Sequence, residues 1–116
     1  MTTPKPRQAV RGSQSGRPIM ALLDLLGRRW ALRMIWELRS EPLSFRQLRD
    51  RCDAMSPTVL NQRLRELRET RIIEMAATGG YCLSPSGLSL VQAMLPLLAW
   101  SEDWQQLLDG EELEDI

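Results

Sequence analysis

Thr58, Asn61, Gln62 and Arg65 stand three, one and three residues apart, a spacing that brings them largely to one face of an α-helix. All four side chains donate hydrogen bonds that suit base edges or phosphates, and Asn, Gln and Arg do so in bidentate fashion. Leu60, Leu64 and Leu67 form the opposing apolar stripe at helical period. Ser56 followed by Pro57 marks the start, a capping hydroxyl before a proline whose fixed φ and missing N–H suit the first helical position. Glu66 and Glu69 lie further along and face phosphates poorly, so the N-terminal half of this helix is the part suited to enter a groove. A polar face that meets only water is the competing reading of the same residues.

The flanking elements bear on that choice. Phe45, Leu48 and Cys52 repeat at spacings of three and four behind Ser44 as a cap, while Arg46, Arg49 and Arg51 lie off the stripe. Asp53, Ala54 and Met55 then make a three-residue turn. A short amphipathic helix, a tight turn and a longer capped helix constitute a helix-turn-helix, here with no glycine in the turn. Beyond it, Ile72 to Met75 predicts a short strand, Ala76 to Gly80 a turn around Gly79-Gly80, and Tyr81 to Leu83 a returning strand, together a stubby wing.

Upstream, Ile19, Leu22, Leu23 and Leu26 predict a short apolar helix ended by Gly27, and a second helix starts at Trp30 with Ala31, Met34, Ile35 and Leu38 facing inward. Arg33 and Glu37 are placed to pair across one turn, Glu41 and Pro42 stop the helix, and Leu43 to Phe45 is a one-bridge strand. Ser84-Pro85 opens the last helix. Leu88, Val91, Leu95 and Leu98 keep helical spacing, and so do Leu90, Met94, Leu97 and Trp104, making it apolar on more than one side, with a kink expected at Pro96. A second copy is the simplest cover for the spare face, which predicts a two-fold dimer. The alternative is a wider core within one chain, filled by the first helix.

The chain of 116 residues suits one domain: 43% hydrophobic and 26% charged residues are ordinary for a globular protein. Net charge is zero, but its distribution is uneven. Residues 28–71 hold eleven arginines against six acids, residues 1–17 hold Lys5, Arg7, Arg11 and Arg17 with no acid, and residues 102–116 hold seven acids with no base. Phosphate attraction follows local charge, screened within about 8 Å at physiological salt. Residues 1–17, rich in Pro, Gly, Ser and Arg, read as a flexible basic arm, residues 18–108 as the domain and residues 109–116 as an acidic tail.

With no histidine and two cysteines thirty residues apart, Cys52 and Cys82, neither a metal cluster nor a disulfide framework is indicated, and no cofactor is expected. Cys52 falls on an apolar stripe and both thiols read as structural, which fits the cytoplasm. Neither a secretory leader nor a membrane span is expected. The first seventeen residues lack an apolar core, and the uncharged run 83–101 is interrupted by Pro85, Ser86, Gly87 and Pro96. An enzyme is not expected either, because paired carboxylates and a glycine-rich phosphate loop are missing.

The order of these elements resembles the HxlR-type winged helix-turn-helix transcriptional regulators. The resemblance rests on Leu25-Leu26-Gly27-Arg28-Arg29-Trp30, Ile35-Trp36-Glu37-Leu38, Phe45-Arg46-Gln47-Leu48, the string from Ser56 to Leu67, and Leu83-Ser84-Pro85-Ser86-Gly87. It implies a mainly α fold with a small β-wing, a homodimer through the N- and C-terminal helices, and a roughly palindromic operator in double-stranded DNA. The helix starting at Ser56 would lie in the major groove, with groove contact carried by Thr58, Asn61, Gln62 and Arg65 and backbone contact by Arg46 and Arg63. Many members carry a thiol-sensing cysteine immediately before the proline that opens the first helix. Arg17 stands there in this chain, so thiol sensing is not implied. The wing lacks a basic or proline-rich tip, which leaves the arginine-bearing arm as a substitute contact. A winged-helix module that docks another protein is the alternative function, favoured by the short wing and the acidic tail.

Overall fold

The computed structural model describes residues 2–10 and 16–114. Its elements run α1 (Pro18–Leu26), α2 (Ala31–Glu37), α3 (Phe45–Arg51), α4 (Pro57–Glu69), β1 (Ile73–Met75), β2 (Tyr81–Leu83) and α5 (Pro85–Glu114). The apolar stripes read from the sequence converge on one core. Met34 and Ile35 of α2, Leu48 of α3, and Leu60 and Leu67 of α4 are all fully buried, and Leu25, Ile73, Leu83 and Val91 close it off. Complete burial of a Leu or Ile side chain stabilises by about 1.5–3 kcal/mol, so this convergence holds the helices against one another.

Between α1 and α2 the chain turns in an unexpected way. Gly27 ends α1 in an ordinary right-handed conformation (φ −75°), whereas Trp30, expected to begin α2, is its N-cap at φ 75°. A left-handed backbone is uncommon for so bulky a residue. Its side chain is tied down by packing against the core and by the Arg29 guanidinium, 5.7 Å from the ring centre.

The helix-turn-helix is capped at both of its helices. Gln47 N–H donates to Ser44 Oγ (3.1 Å) while Ser44 N–H donates to Gln47 Oε1 (2.9 Å), a reciprocal capping box. Ser56 Oγ accepts from Val59 N–H. The turn without glycine is closed by two left-handed residues, Asp53 (φ 56°) and Ala54 (φ 54°). Ala54 N–H donates to the Arg49 carbonyl at 3.0 Å and Arg49 Nε to the Met55 carbonyl at 2.9 Å, which holds the strained turn in place. Asp tolerates this conformation through its short polar side chain, but Ala does not. Ala54→Gly is therefore expected to raise the unfolding free energy by about 1 kcal/mol, read as a higher urea midpoint at unchanged slope.

The wing is an antiparallel hairpin with Ile73 opposite Leu83, Glu74 opposite Cys82 and Met75 opposite Tyr81. The expected bridge strand is Leu43 alone, paired with Tyr81, since Phe45 already starts α3. At the tip, Gly80 (φ 84°) needs both its left-handed backbone and its missing side chain, because a Cβ there would stand 2.8 Å from the Leu43 carbonyl oxygen.

The Ser84-Pro85-Ser86-Gly87 string is a joint. Ser84 Oγ accepts from Gly87 N–H (3.0 Å) and lies 2.6 Å from the Arg71 carbonyl, while a Cβ at Gly87 would fall 2.1 Å from the Ile72 carbonyl oxygen. The start of α5 can thus lie directly on the chain entering the wing. α5 then continues without a break through Pro96 to Glu114, so the acidic segment begun at Asp109 is helical as far as it is described. Val91 is covered, but the second half of α5 leaves the core: Leu97 is 61% exposed, Trp100 58%, Trp104 50% and Leu107 61%.

The arm is partly packed. Thr3 and Pro4 are buried, Pro4 and Pro6 line a cavity with Pro18, Ala21 and Leu22, and the Thr2 carbonyl accepts from Arg28 Nη2 at 2.8 Å. Arg11 lies outside the described residues. Among the described residues, no helix is long and apolar enough to cross a membrane.

Candidate nucleic-acid interface

Helix α4 presents two unlike sides, and burying Leu60, Leu64 and Leu67 decides which is outward. Thr58, Asn61 and Arg65 are exposed and Gln62 is half-buried, and these four line one shallow depression. An adjoining depression is lined by Asn61, Arg65, Arg68, Glu69 and Tyr81. The four groove candidates therefore come together, and Arg68 and Tyr81, not singled out in the sequence, join them. Arg68 was legible as the residue three beyond Arg65 on the same face. Tyr81 was not, because it joins the face only once β2 has paired with β1 and with Leu43. Ser56 is exposed at the head of the helix, with its hydroxyl engaged as the cap, and Arg46 is exposed on the first turn of α3.

The arginine excess divides into two groups. Arg33 pairs with Glu37 (3.1 Å), Arg51 with Glu41 (2.8 Å), Arg49 holds the helix-turn-helix turn, and Arg39 lies 3.9 Å over the Trp36 ring. Among the described residues, the side chains of Arg46, Arg65, Arg68 and Arg71 make no ion pair or hydrogen bond. Cations without an acidic partner are the ones whose field reaches an approaching polyanion.

Arg63 belongs to the first group. Its Nε donates to the Arg29 carbonyl at 2.8 Å and its Nη1 to Glu66 Oε1 at 2.7 Å, with only 14% of the side chain exposed. Glu66, read from the sequence as facing phosphates poorly, is 1% exposed and binds Arg28 Nη1 through its other oxygen. Arg28 lies 3.8 Å from Asp24 of α1 as well. At about 100° per residue, Arg63 sits about 40° from Leu67 on the helical wheel, beside the apolar stripe and away from the groove residues. That offset was the available signal. The partners on the α1–α2 turn carried no local pattern.

Both thiols are free and both are pushed above their ordinary pKa by burial. For Cys52, inside the core, burial outweighs the lowering influence of Arg33. For Cys82, on β2, the facing Glu74 carboxylate adds to the effect. Such thiols are poor nucleophiles at neutral pH. Among the described residues, no group of Cys, Asp and Glu could hold a metal ion.

With this geometry, comparison with known proteins is informative. The quinone-bound YodB from B. subtilis is 27% identical with a TM-score of 0.68, over 73% of this chain and 94% of that one. A possible HxlR family transcriptional factor from Thermoplasma volcanium GSS1 is 24% identical (TM-score 0.63; 73% and 82% covered). A putative MarR family regulator from Enterococcus faecalis V583 is 23% identical (TM-score 0.68; 84% and 94% covered), a likeness of fold. No curated relative matches the sequence. The model of the HxlR-like helix-turn-helix family matches residues 25–109, from the end of α1 through the exposed half of α5. The chain belongs to that family of winged-helix transcriptional regulators.

Proposed function

We propose that the protein is a cytoplasmic, sequence-specific DNA-binding regulator that reads a roughly palindromic operator as a homodimer. The observation that carries the reading is the gathering of Thr58, Asn61, Gln62 and Arg65 on the outward side of a helix whose other side is fixed in the core. A helix of this diameter fits the major groove, where Arg is suited to guanine and Asn or Gln to adenine. Arg46 and Arg68 flank the face as phosphate contacts. Arg63 has Nε and Nη1 engaged by the Arg29 carbonyl and Glu66 and only 14% of its side chain exposed, so Arg46 and Arg68 are the better placed backbone contacts.

Dimerisation gives each operator half one copy of α4. Its support is the uncovered apolar side of α5 together with Ile19 and Leu23 of α1, which are 53% and 56% exposed. An apolar surface of this extent marks an interface in a soluble protein.

Selection of bound duplexes from a random pool tests both parts, since a dimeric reader returns paired half-sites about 34–36 Å apart. On the selected operator, Arg65→Ala is expected to cost about 1–3 kcal/mol and to relax the base preference at one position of each half-site. Affinity is expected to fall log-linearly with salt, at about 0.9 per phosphate contacted. Absence of any salt-sensitive duplex binding would transfer the outward face of α4 to the alternative role, docking a protein partner.

A further inference from the structure

α1 and α4 have different tasks in the proposed function: α1 contributes to the dimer surface and α4 to the DNA surface. A charged network links them. Glu66 of α4 holds Arg28, which follows α1 and also lies 3.8 Å from Asp24 on that helix. Arg63 of α4 completes the other oxygen of Glu66 and reaches back 2.8 Å to the Arg29 carbonyl in the same turn. Asp24, Arg28, Arg63 and Glu66 sum to zero charge and are largely shielded: 10% of the Asp24 and Arg28 side chains, 14% of Arg63 and 2% of Glu66 are exposed.

We propose that the Glu66–Arg28 bridge is a positioning device that fixes the orientation of the reading helix relative to the dimer helix, making Glu66 and Arg28 determinants of operator spacing. The inference rests on the reading of the protein as a dimeric DNA binder. Apolar packing of Leu60, Leu64 and Leu67 resists separation of α4 from the core, but apolar contact is non-directional. A carboxylate shared between two guanidiniums is directional, because each planar fork accepts its partner in a narrow range of geometry. The turn that supplies Arg28 also holds the left-handed Trp30, so both ends of the bridge are anchored. In a dimer, an error in the angle of α4 is duplicated by the two-fold axis and becomes a change in the separation of the two reading helices. The bridge touches no DNA, so its loss should blur which spacing is bound without removing phosphate contacts.

The test measures the affinity of the full chain for three fluorescent duplexes: the selected operator, the same operator with one base pair inserted between its halves, and a scrambled sequence. The variants are Glu66→Gln and Arg28→Gln. The second leaves the Arg63–Glu66 pair within α4 intact and cuts the bridge from the α1 side, together with the contacts of Arg28 to Asp24 and the Thr2 carbonyl, so it serves even where Glu66→Gln folds poorly. Titrations use the folded fraction measured by circular dichroism. The expected result is a fall of about tenfold in discrimination between the two spacings, within the 5- to 150-fold span of ordinary energetic couplings. Affinity for the scrambled duplex and its salt slope are expected to stay at the parent level. A role confined to stability would change the folded fraction and leave spacing discrimination intact. If the parent discriminates spacings and folded Arg28→Gln does so equally well, the positioning role is overturned while DNA reading stands. If the parent binds none of the duplexes, the DNA reading falls and the positioning role with it.

Discussion

Glu66→Ala is expected to lower the unfolding free energy by about 3 kcal/mol, the lower end of the range for removing one member of a buried ion pair. The loss arises less from the missing attraction than from what is left behind. Arg28 and Arg63 remain charged in a site that exposes only 10% and 14% of their side chains, and no carboxylate stands between them. Two features keep the loss from being larger: Arg28 retains Asp24 and the Thr2 carbonyl, and Arg63 retains the Arg29 carbonyl. Removing Arg28 alone should cost less, because Glu66 then keeps Arg63 across one turn of α4. Replacing all four members, Asp24 included, by apolar residues of similar volume should recover most of the loss, since the desolvation cost disappears together with the attraction. For a chain of this length, total stability is about 6–17 kcal/mol, so a 3 kcal/mol change is readily read as a shift of the urea midpoint at fixed protomer concentration. An unfolding free energy within about 0.5 kcal/mol of the parent would mean that water reaches the network and that the charges are effectively on the surface.

That network also marks the boundary of what could be read from the chain alone. Helix α4, its Ser56 cap, the Ser44 cap, the hairpin around Gly79-Gly80 and the core stripes are all local, set by periodicity and by residues a few positions apart, and they were legible. The outward set Thr58, Asn61, Gln62 and Arg65 follows from the same periodicity, and the structure brings those residues to one depression. Glu66 obeyed no local rule. A carboxylate off the apolar stripe reads as solvent-facing, and only tertiary approach of the α1–α2 turn turns it into a buried anchor. The partners of Arg63, Glu66 and the Arg29 carbonyl, were hidden for the same reason. The left-handed Trp30 escaped as well, since a bulky residue is a poor candidate for that conformation until packing compels it. The arm read as flexible from composition, yet a proline-lined contact with α1 and the reach of Arg28 draw its first residues onto the domain.

Trp100→Ala is expected to weaken the proposed homodimer about a thousandfold. Leu97, Trp100, Trp104, Leu107 and Leu108 recur at spacings of three, four, three and one, so they share a single stripe of α5, with Glu102, Gln105, Gln106 and Asp109 turned to the other side. All five stripe residues are exposed in the isolated chain, and Trp100 and Trp104 stack on each other with ring centres 5.6 Å apart. A stacked tryptophan pair in water gains little, whereas the same pair pressed against a partner is the type of anchor that dominates interfaces, where truncation costs about 2 kcal/mol or more. A two-fold interface contains every residue twice, so one substitution removes two anchors and costs about 4 kcal/mol, which is about a thousandfold in dissociation constant. Folding should be nearly untouched, because Trp100 lies beyond the last core residue of α5, Val91. Sedimentation across a concentration series separates the two effects. Operator affinity should then fall with dilution in the variant well before it does in the parent, since a monomer holds one half-site. A variant that sediments as the parent does at every concentration would remove α5 from the interface and leave its apolar stripe to a different partner.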